Sequence, residues 1–191
     1  MQRKEGLVHI LTGDGNGKTT SAIGIAARAA ARGMNIAFIQ FLKGGLSSEI
    51  SSLKKLGITV ITGTKHCPNQ EKHEHSLKEQ GAVAFCKDCF AINEKDKGLV
   101  ASAFEKAKEF SSSGEYQLIV LDEIFWAVIE KLVTEEQLLH LISKRHPSCE
   151  LVLTGRGATK KIEEAADYVS YVNKLKHPFD KGKPARPGID Y

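Results

Sequence analysis

Two kinds of segment take turns along the chain. Apolar runs of strand length fall at 7–12, 35–41, 58–61, 117–121, 150–154 and 168–172. Between them lie stretches of helical composition: an alanine-rich 18–32 stopped by Gly33, then 48–55, 99–110 and 159–166. Thr134 reads as an N-cap with Gln137 three residues on, a capping box for a helix through Lys144. The run 117–121 is continuously apolar, as buried parallel strands are. Strands alternating with helices predict right-handed βαβ units, a mainly parallel central sheet and helices on both faces, a three-layer α/β architecture. One stretch breaks the rhythm. Residues 62–97 are polar, rich in Lys, Glu, His and Cys, and have no clean period. A loop of that length in a compact domain is uncommon unless it is functional or held by something else.

The length of 191 residues, 41% hydrophobic, suits one domain with a sizeable core, so 1–191 is expected to be a single unit. Its formal charge of +4 is uneven: 174–191 holds Lys174, Lys176, Lys181, Lys183 and Arg186 against Asp180 and Asp190, a net +3, and the remainder is +1. A basic tail on a nearly neutral body argues against nucleic acid as the partner, which needs a basic stripe to track phosphates. The same tail suits a polyanionic small ligand. No apolar run is long enough to span a membrane, and the charged start of the chain has no signal-peptide core, so a cytoplasmic protein is expected. Cys67, Cys86, Cys89 and Cys149 are then thiols or metal ligands rather than disulfides.

The strongest chemical signal is Thr12-Gly13-Asp14-Gly15-Asn16-Gly17-Lys18-Thr19-Thr20, which follows a strand and opens a helix. This is a P-loop in its required context. Glycines let backbone N–H groups turn in around phosphate oxygens, and the helix N-terminus adds its dipole. Lys18 brings a point charge, and the Thr19 hydroxyl can ligate Mg²⁺. Thr12 stands where the first glycine of such loops normally is. The second half of a nucleotide site is Asp122-Glu123, at the carboxyl end of a buried strand, where an acid can hold Mg²⁺ directly or through water. Together these predict a P-loop fold of the RecA-like kind that binds ATP.

Further motifs follow in order: Gln40-Phe41-Leu42-Lys43-Gly44-Gly45 after the second strand, Leu121-Asp122-Glu123 before an apolar helix start, Thr154-Gly155-Arg156-Gly157 after a late strand, and Lys176-His177-Pro178-Phe179-Asp180-Lys181-Gly182 with Gly188-Ile189-Asp190-Tyr191 at the end. With the P-loop, this series resembles the P-loop family of ATP:cob(I)alamin adenosyltransferases over most of the chain except 62–97. The resemblance implies a homodimer that makes adenosylcobalamin, with a reductase supplying cobalt(I). It implies a P-loop that grips the triphosphate of ATP in a reversed sense and leaves the ribose 5′ carbon open to the corrinoid. By match to the motifs, Gly13 to Thr20 hold phosphate and Asp122 or Glu123 holds Mg²⁺; Lys18, Thr19 and Glu123 are the expected catalytic set. Arg156 and Lys43, in loops at strand ends, are candidate nucleotide contacts, and each reads equally as a surface residue. Arg28 reads as a solvated or interhelix arginine. The tail would close over a ligand or a partner subunit.

In that family the region equivalent to 62–97 carries aromatic residues under the corrin ring. Here Gly63 is followed by Thr64-Lys65-His66-Cys67-Pro68, with no aromatic before Phe85. The segment holds three of the four cysteines instead. Cys86-Lys87-Asp88-Cys89 is the usual knuckle of a structural zinc site, and Cys67 with His73 or His75 can complete a tetrahedron. The competing account is a solvated loop with free thiols. An iron–sulfur cluster is the lesser alternative, because four cysteine ligands do not lie nearby. Phe85, Phe90 or Trp126 could supply the missing apolar face, although Trp126 reads first as core, and Cys149 reads as a packed thiol. Two other functions share these motifs: a nucleoside kinase with a zinc-bearing lasso, and an ATP-gated corrinoid-binding module without chemistry.

Overall fold

Six strands form one sheet in the order β3-β2-β4-β5-β1-β6, with every pairing parallel. The strands are β1 (Val8–Thr12), β2 (Ile36–Phe41), β3 (Thr59–Gly63), β4 (Leu118–Asp122), β5 (Glu150–Thr154) and β6 (Tyr168–Tyr171). The helices are α1 (Lys18–Ala30), α2 (Ser48–Lys55), α3 (Glu94–Ser113), α4 (Ile124–Ile129), α5 (Glu135–Lys144) and α6 (Lys160–Glu164). The computed structural model describes residues 5–42, 48–63, 67, 69, 71–72, 75–76, 92–183, 186 and 188–190, the side chain of Phe179 excepted.

β2, β4 and β5 are buried along their whole length, which is why their sequences are almost unbroken in apolar character. Alternation along each strand sends side chains to opposite faces. Ile36, Phe38, Leu118, Val120 and Val152 pack with Ala22 and Ala26 of α1 and Leu53 of α2. Ala37, Ile39, Phe41, Ile119, Leu121, Leu151 and Leu153 pack on the other face, with residues of α3, α4, α5 and α6. The expected three-layer α/β architecture is therefore present. Cys149 lies in the second core, as its reading as a packed thiol required, and burial pushes that thiol up from 9.0 to about 11.

Helix boundaries follow their caps. Thr134 and Gln137 form the anticipated capping box of α5. α3 begins at Glu94, five residues before the expected 99, because a second capping box closes its first turn. Asp96 N–H donates to Asn93 Oδ1 at 3.1 Å, and Asn93 N–H donates to Asp96 Oδ2 at 2.9 Å. The polar stretch 62–97 is accordingly shorter than it looked: Thr62 and Gly63 belong to β3, and Glu94–Lys97 to α3. α1 ends at Ala30, two residues short of the expectation, and Gly33 turns the chain with φ +70°. Arg28 is exposed on α1.

Candidate functional site

Three polar residues end adjacent strands on the sheet face that α1 covers. Gln40 of β2 pairs in register with Asp122 of β4, and Leu121 pairs with Leu153 of β5, which brings Thr154 next to Asp122. All three are essentially inaccessible. Asp122 is the hub. Its Oδ1 accepts from the Thr154 hydroxyl at 2.7 Å and from the Thr19 hydroxyl at 2.8 Å, and its Oδ2 accepts from Gln40 Nε2 at 3.0 Å. A buried carboxylate needs such donors to offset the loss of water. The next residue, Glu123, donates its backbone N–H to Thr154 Oγ1 at 3.0 Å. Glu123 is the N-cap of α4 and takes a left-handed φ of +59°, a sparsely populated conformation for a residue with a side chain.

The phosphate loop joins β1 to α1. Gly13 and Gly17 have φ of +107° and +114°, which glycine alone adopts without strain. Gly17 is the N-cap and has no side chain with which to close the first turn, so the end of a 13-residue helix is left to face whatever the loop encloses. Lys18 is buried and its Nζ donates to Gly15 O at 2.7 Å. Burial pushes its ammonium below the ordinary lysine value of 10.5; Glu123 opposes that shift and Arg156 adds to it.

The loop is also fastened from behind. Gly15 N–H donates to Val172 O at 2.7 Å, and Val172 N–H donates to Thr12 O at 2.8 Å. A Cβ on Gly13 would lie 2.5 Å from Val172 O, and one on Gly15 would lie 2.7 Å from it. Asp14 accepts the Lys174 backbone N–H at 3.0 Å, and that bond holds its carboxyl below the usual 3.8. The chain leaving β6 is thus stitched to the P-loop. Beyond it, Pro178–Lys181 forms a 3₁₀ turn, Lys174 pairs with Asp180 at 3.1 Å, and Arg186 Nε donates to Asp190 Oδ2 at 2.9 Å.

A cavity of about 450 Å³ opens over the loop. Asp14 through Thr20 form its floor, Glu123 and Arg156 one wall, Ser48, Glu49 and Ser52 of α2 another, and His177 with Gly188, Ile189 and Asp190 of the tail a third. Its volume is that of a small-ligand pocket. The sequence-derived candidates Asp14, Gly15, Asn16, Gly17, Lys18, Thr19, Thr20, Glu123 and Arg156 therefore line one space. Thr12 Oγ1 instead accepts the Ala158 backbone N–H, at 3.5 Å. Gln40, Thr154 and the cavity-lining residues of α2 were not given roles from sequence. The signal for Gln40 was present: it is the one polar residue in Ile36–Phe41. Trp126 is half-buried against the core, as its first reading held, with Nε1–H donating to Glu130 Oε1 at 3.2 Å.

Lys43 lies outside the described residues, as do His66, His73, Phe85, Cys86, Cys89 and Phe90. Of the zinc candidates, Cys67 is half-buried and His75 exposed. Among the described residues no group of three or more His, Cys, Asp and Glu side chains could hold a metal ion. No helix among them is long and apolar enough to cross a membrane.

A parallel sheet with a glycine-rich strand-to-helix loop at its carboxyl edge, and a buried acid on another strand bonded to the loop's threonine, defines a P-loop α/β protein. The family described as ATP:corrinoid adenosyltransferase BtuR/CobO/CobP matches residues 4–191, and the chain belongs to that family; it is a transferase. It is 30% identical over 194 residues to the corrinoid adenosyltransferase CobA of Salmonella typhimurium strain LT2, aligning 100% of this chain and 88% of that one. It is 29% identical, with the same coverage, to the corrinoid adenosyltransferase of Escherichia coli strain K12. The RadB recombinase, a solved structure, is similar with a TM-score of 0.48 at 14% identity, over 91% of this chain and 77% of that one.

Proposed function

We propose that this chain transfers the 5′-deoxyadenosyl group of ATP to the cobalt(I) of a reduced corrinoid, with release of triphosphate, in adenosylcobalamin synthesis or salvage. The observation that carries the reading is a cavity lined by Lys18, Thr19 and Glu123, with Asp122 bonded to Thr19 behind it, in a chain of this family. Cobalt(I) attacks the ribose 5′ carbon in line, the C5′–O bond breaks, and its electron pair leaves with the triphosphate. Nothing is deprotonated, so no general base is needed. The protein's work is positioning and stabilisation of charge on the leaving group.

The P-loop residues Gly13 to Thr20 cradle the triphosphate, and the uncapped start of α1 faces it. Lys18 Nζ, now 2.7 Å from Gly15 O, needs only side-chain rotation to exchange that carbonyl for a phosphate oxygen. Arg156 adds a second cation, on the wall beside Glu123. Thr19, Asp122 and Glu123 offer only oxygen donors, which suit Mg²⁺ better than a soft metal. Mg²⁺ there would neutralise charge on the triphosphate. The cavity accommodates a ligand of nucleotide size, which leaves the corrinoid at its mouth, beside the tail.

The finer assignments extend from the same reading: a cytoplasmic homodimer, one domain over 1–191 with 62–97 as an inserted Cys/His segment and 174–191 as a basic tail, supplied with cobalt(I) by a separate reductase. The test is the fate of the phosphates. Phosphorus NMR of a reaction with ATP, Mg²⁺ and reduced corrinoid is expected to show inorganic triphosphate. ADP with a phosphorylated acceptor would mean a kinase, and unchanged ATP would mean a binding module.

A further inference from the structure

Gln40 is the one polar residue of β2, and it is 1% exposed. A glutamine in that place needs a reason, because the rest of the strand is apolar core. It stands opposite Asp122 in the parallel register, and its Nε2 donates to Asp122 Oδ2 at 3.0 Å. The orientation of the amide follows from chemistry. An ionised carboxylate can only accept, so the NH₂ end must face it. The carbonyl end is thereby turned away, and Gln40 Oε1 is buried with no hydrogen-bond partner among the described residues. Buried acceptors are nearly always satisfied, and one that is not points to a donor brought from outside the chain. A single carbon joins the two ends of the amide, so this oxygen lies beside the cluster of Thr19, Asp122 and Thr154.

We infer that Gln40 is a positioning residue for the divalent cation that accompanies the nucleotide: its NH₂ fixes the Asp122 carboxylate, and its orphan Oε1 accepts a hydrogen bond from a water carried on Mg²⁺. The inference rests on Thr19, Asp122 and Glu123 being the cation's ligands. Mg²⁺ dehydrates reluctantly and keeps several waters when bound, each of them a donor. Partners that orient ligating carboxylates contribute strongly to metal affinity although they do not touch the metal. Thr19 and Thr154 hold Oδ1 of Asp122 and Gln40 holds Oδ2, so its loss would remove a donor that fixes the plane of the carboxylate.

The test is the Mg²⁺-dependent gain in ATP affinity, measured by titration calorimetry on the full chain with ATP in MgCl₂ and with ATP in EDTA. Gln40→Met keeps the volume and removes both polar ends. It is expected to lower the gain roughly 10-fold, the low end of such second-shell losses, while ATP affinity in EDTA stays within about twofold. Because Gln40 acts in part through Asp122, the gain lost by Gln40→Met with Asp122→Asn together should be smaller than the sum of the two single losses; fully additive losses would overturn the positioning role. An unchanged gain in Gln40→Met, or equal weakening with and without Mg²⁺, would overturn the inference. Should circular dichroism show Gln40→Met unfolded, Gln40→Asn keeps an amide one methylene short and is expected to lose the same gain; an unchanged gain there overturns it equally. A wild-type protein with no Mg²⁺-dependent gain would overturn the cation reading as well, whereas a wild-type gain retained in the variants would overturn this inference alone.

Discussion

The Thr19 hydroxyl donates to Asp122 Oδ1 at 2.8 Å, tying the first turn of α1 to the last residue of β4 across 103 positions of sequence. In the proposed site the same hydroxyl oxygen would ligate the cation while its proton goes to the acid behind it. Asp122→Ala removes the acceptor of three buried or half-buried donors, those of Thr19, Thr154 and Gln40. The expected result is a loss of about 1–3 kcal/mol in unfolding free energy, read by urea denaturation, from buried polar groups left unmatched. Mg²⁺ affinity should fall with it. A variant as stable as wild type would mean that these three bonds contribute nothing net.

Lys18→Ala is expected to fold and to lose ATP turnover by roughly 100-fold or more, because the charge on the leaving triphosphate would then lack its nearest fixed cation. The pH dependence has a definite sign. Burial lowers the Lys18 value from 10.5, so the charged form that grips phosphate is lost at a lower pH than for a free lysine. In the window between the lowered value and 10.5, the unfolded chain binds the extra proton; this residue's contribution to stability therefore rises with pH while ATP affinity falls. Calorimetric ATP titration at alkaline pH should show affinity falling from below 10.5 in wild type. Lys18→Arg, charged to above about pH 12, should hold its affinity longer. Identical pH profiles would remove Lys18 as the titrating group.

Glycines in this chain separate by environment. Gly13 has φ +107°, and its Cβ would meet the Val172 carbonyl oxygen at 2.5 Å, which is backbone and cannot swing aside. Gly13→Ala should cost about 2–3 kcal/mol and loosen the P-loop from the strand end behind it. Gly24, inside α1, has nothing within 4 Å of an added Cβ. Gly24→Ala should stabilise the protein by about 0.5–1 kcal/mol through helix propensity. Thermal unfolding of the two variants checks both signs at once; a stabilised Gly13→Ala or a destabilised Gly24→Ala would contradict the account.

What could be read in advance, and what could not, divides along the range of the interactions. The P-loop is local: glycines needing positive φ, a lysine and a threonine are fixed by nine consecutive residues, and the structure places Asp14 to Thr20 around one cavity. The capping box at Thr134 and Gln137 is equally local, whereas that at Asn93 and Asp96 was hidden because aspartate stood where glutamate or glutamine usually signals it. Gln40 and Thr154 could not be assigned, since their meeting at Asp122 depends on the register of parallel strands 82 and 32 positions apart. The tail was legible as a basic stretch expected to close over a ligand or a partner subunit, but not as a wall of this cavity. That it lines the phosphate cavity depends on Val172 and Lys174 bonding back to Gly15 and Asp14. Removing residues 176–191 should therefore weaken ATP binding itself, and not corrinoid transfer alone; unchanged calorimetric ATP affinity in the truncated chain would show that the tail wall does not touch the nucleotide.

Residues 62–97 hold three of the four cysteines, and metal content is the test of their role. Protein purified without a His tag is expected to carry about one equivalent of zinc, held by Cys67, Cys86, Cys89 and one of His73 or His75 in a closed tetrahedral shell. Less than about half an equivalent, with Cys86→Ser unchanged in stability, would leave a segment that needs no metal.

The central claim is adenosyl transfer from ATP to cobalt, and the most direct measurement follows the Co–C bond. ATP, Mg²⁺ and chemically reduced corrinoid are mixed with the protein in the dark, and the corrinoid spectrum is recorded before and after illumination. The expected result is a spectrum of alkylated corrinoid that light reverts, formed with one triphosphate per bond made and lost in Lys18→Ala. A corrinoid spectrum unchanged by the protein, with ATP intact or converted to ADP, would contradict it.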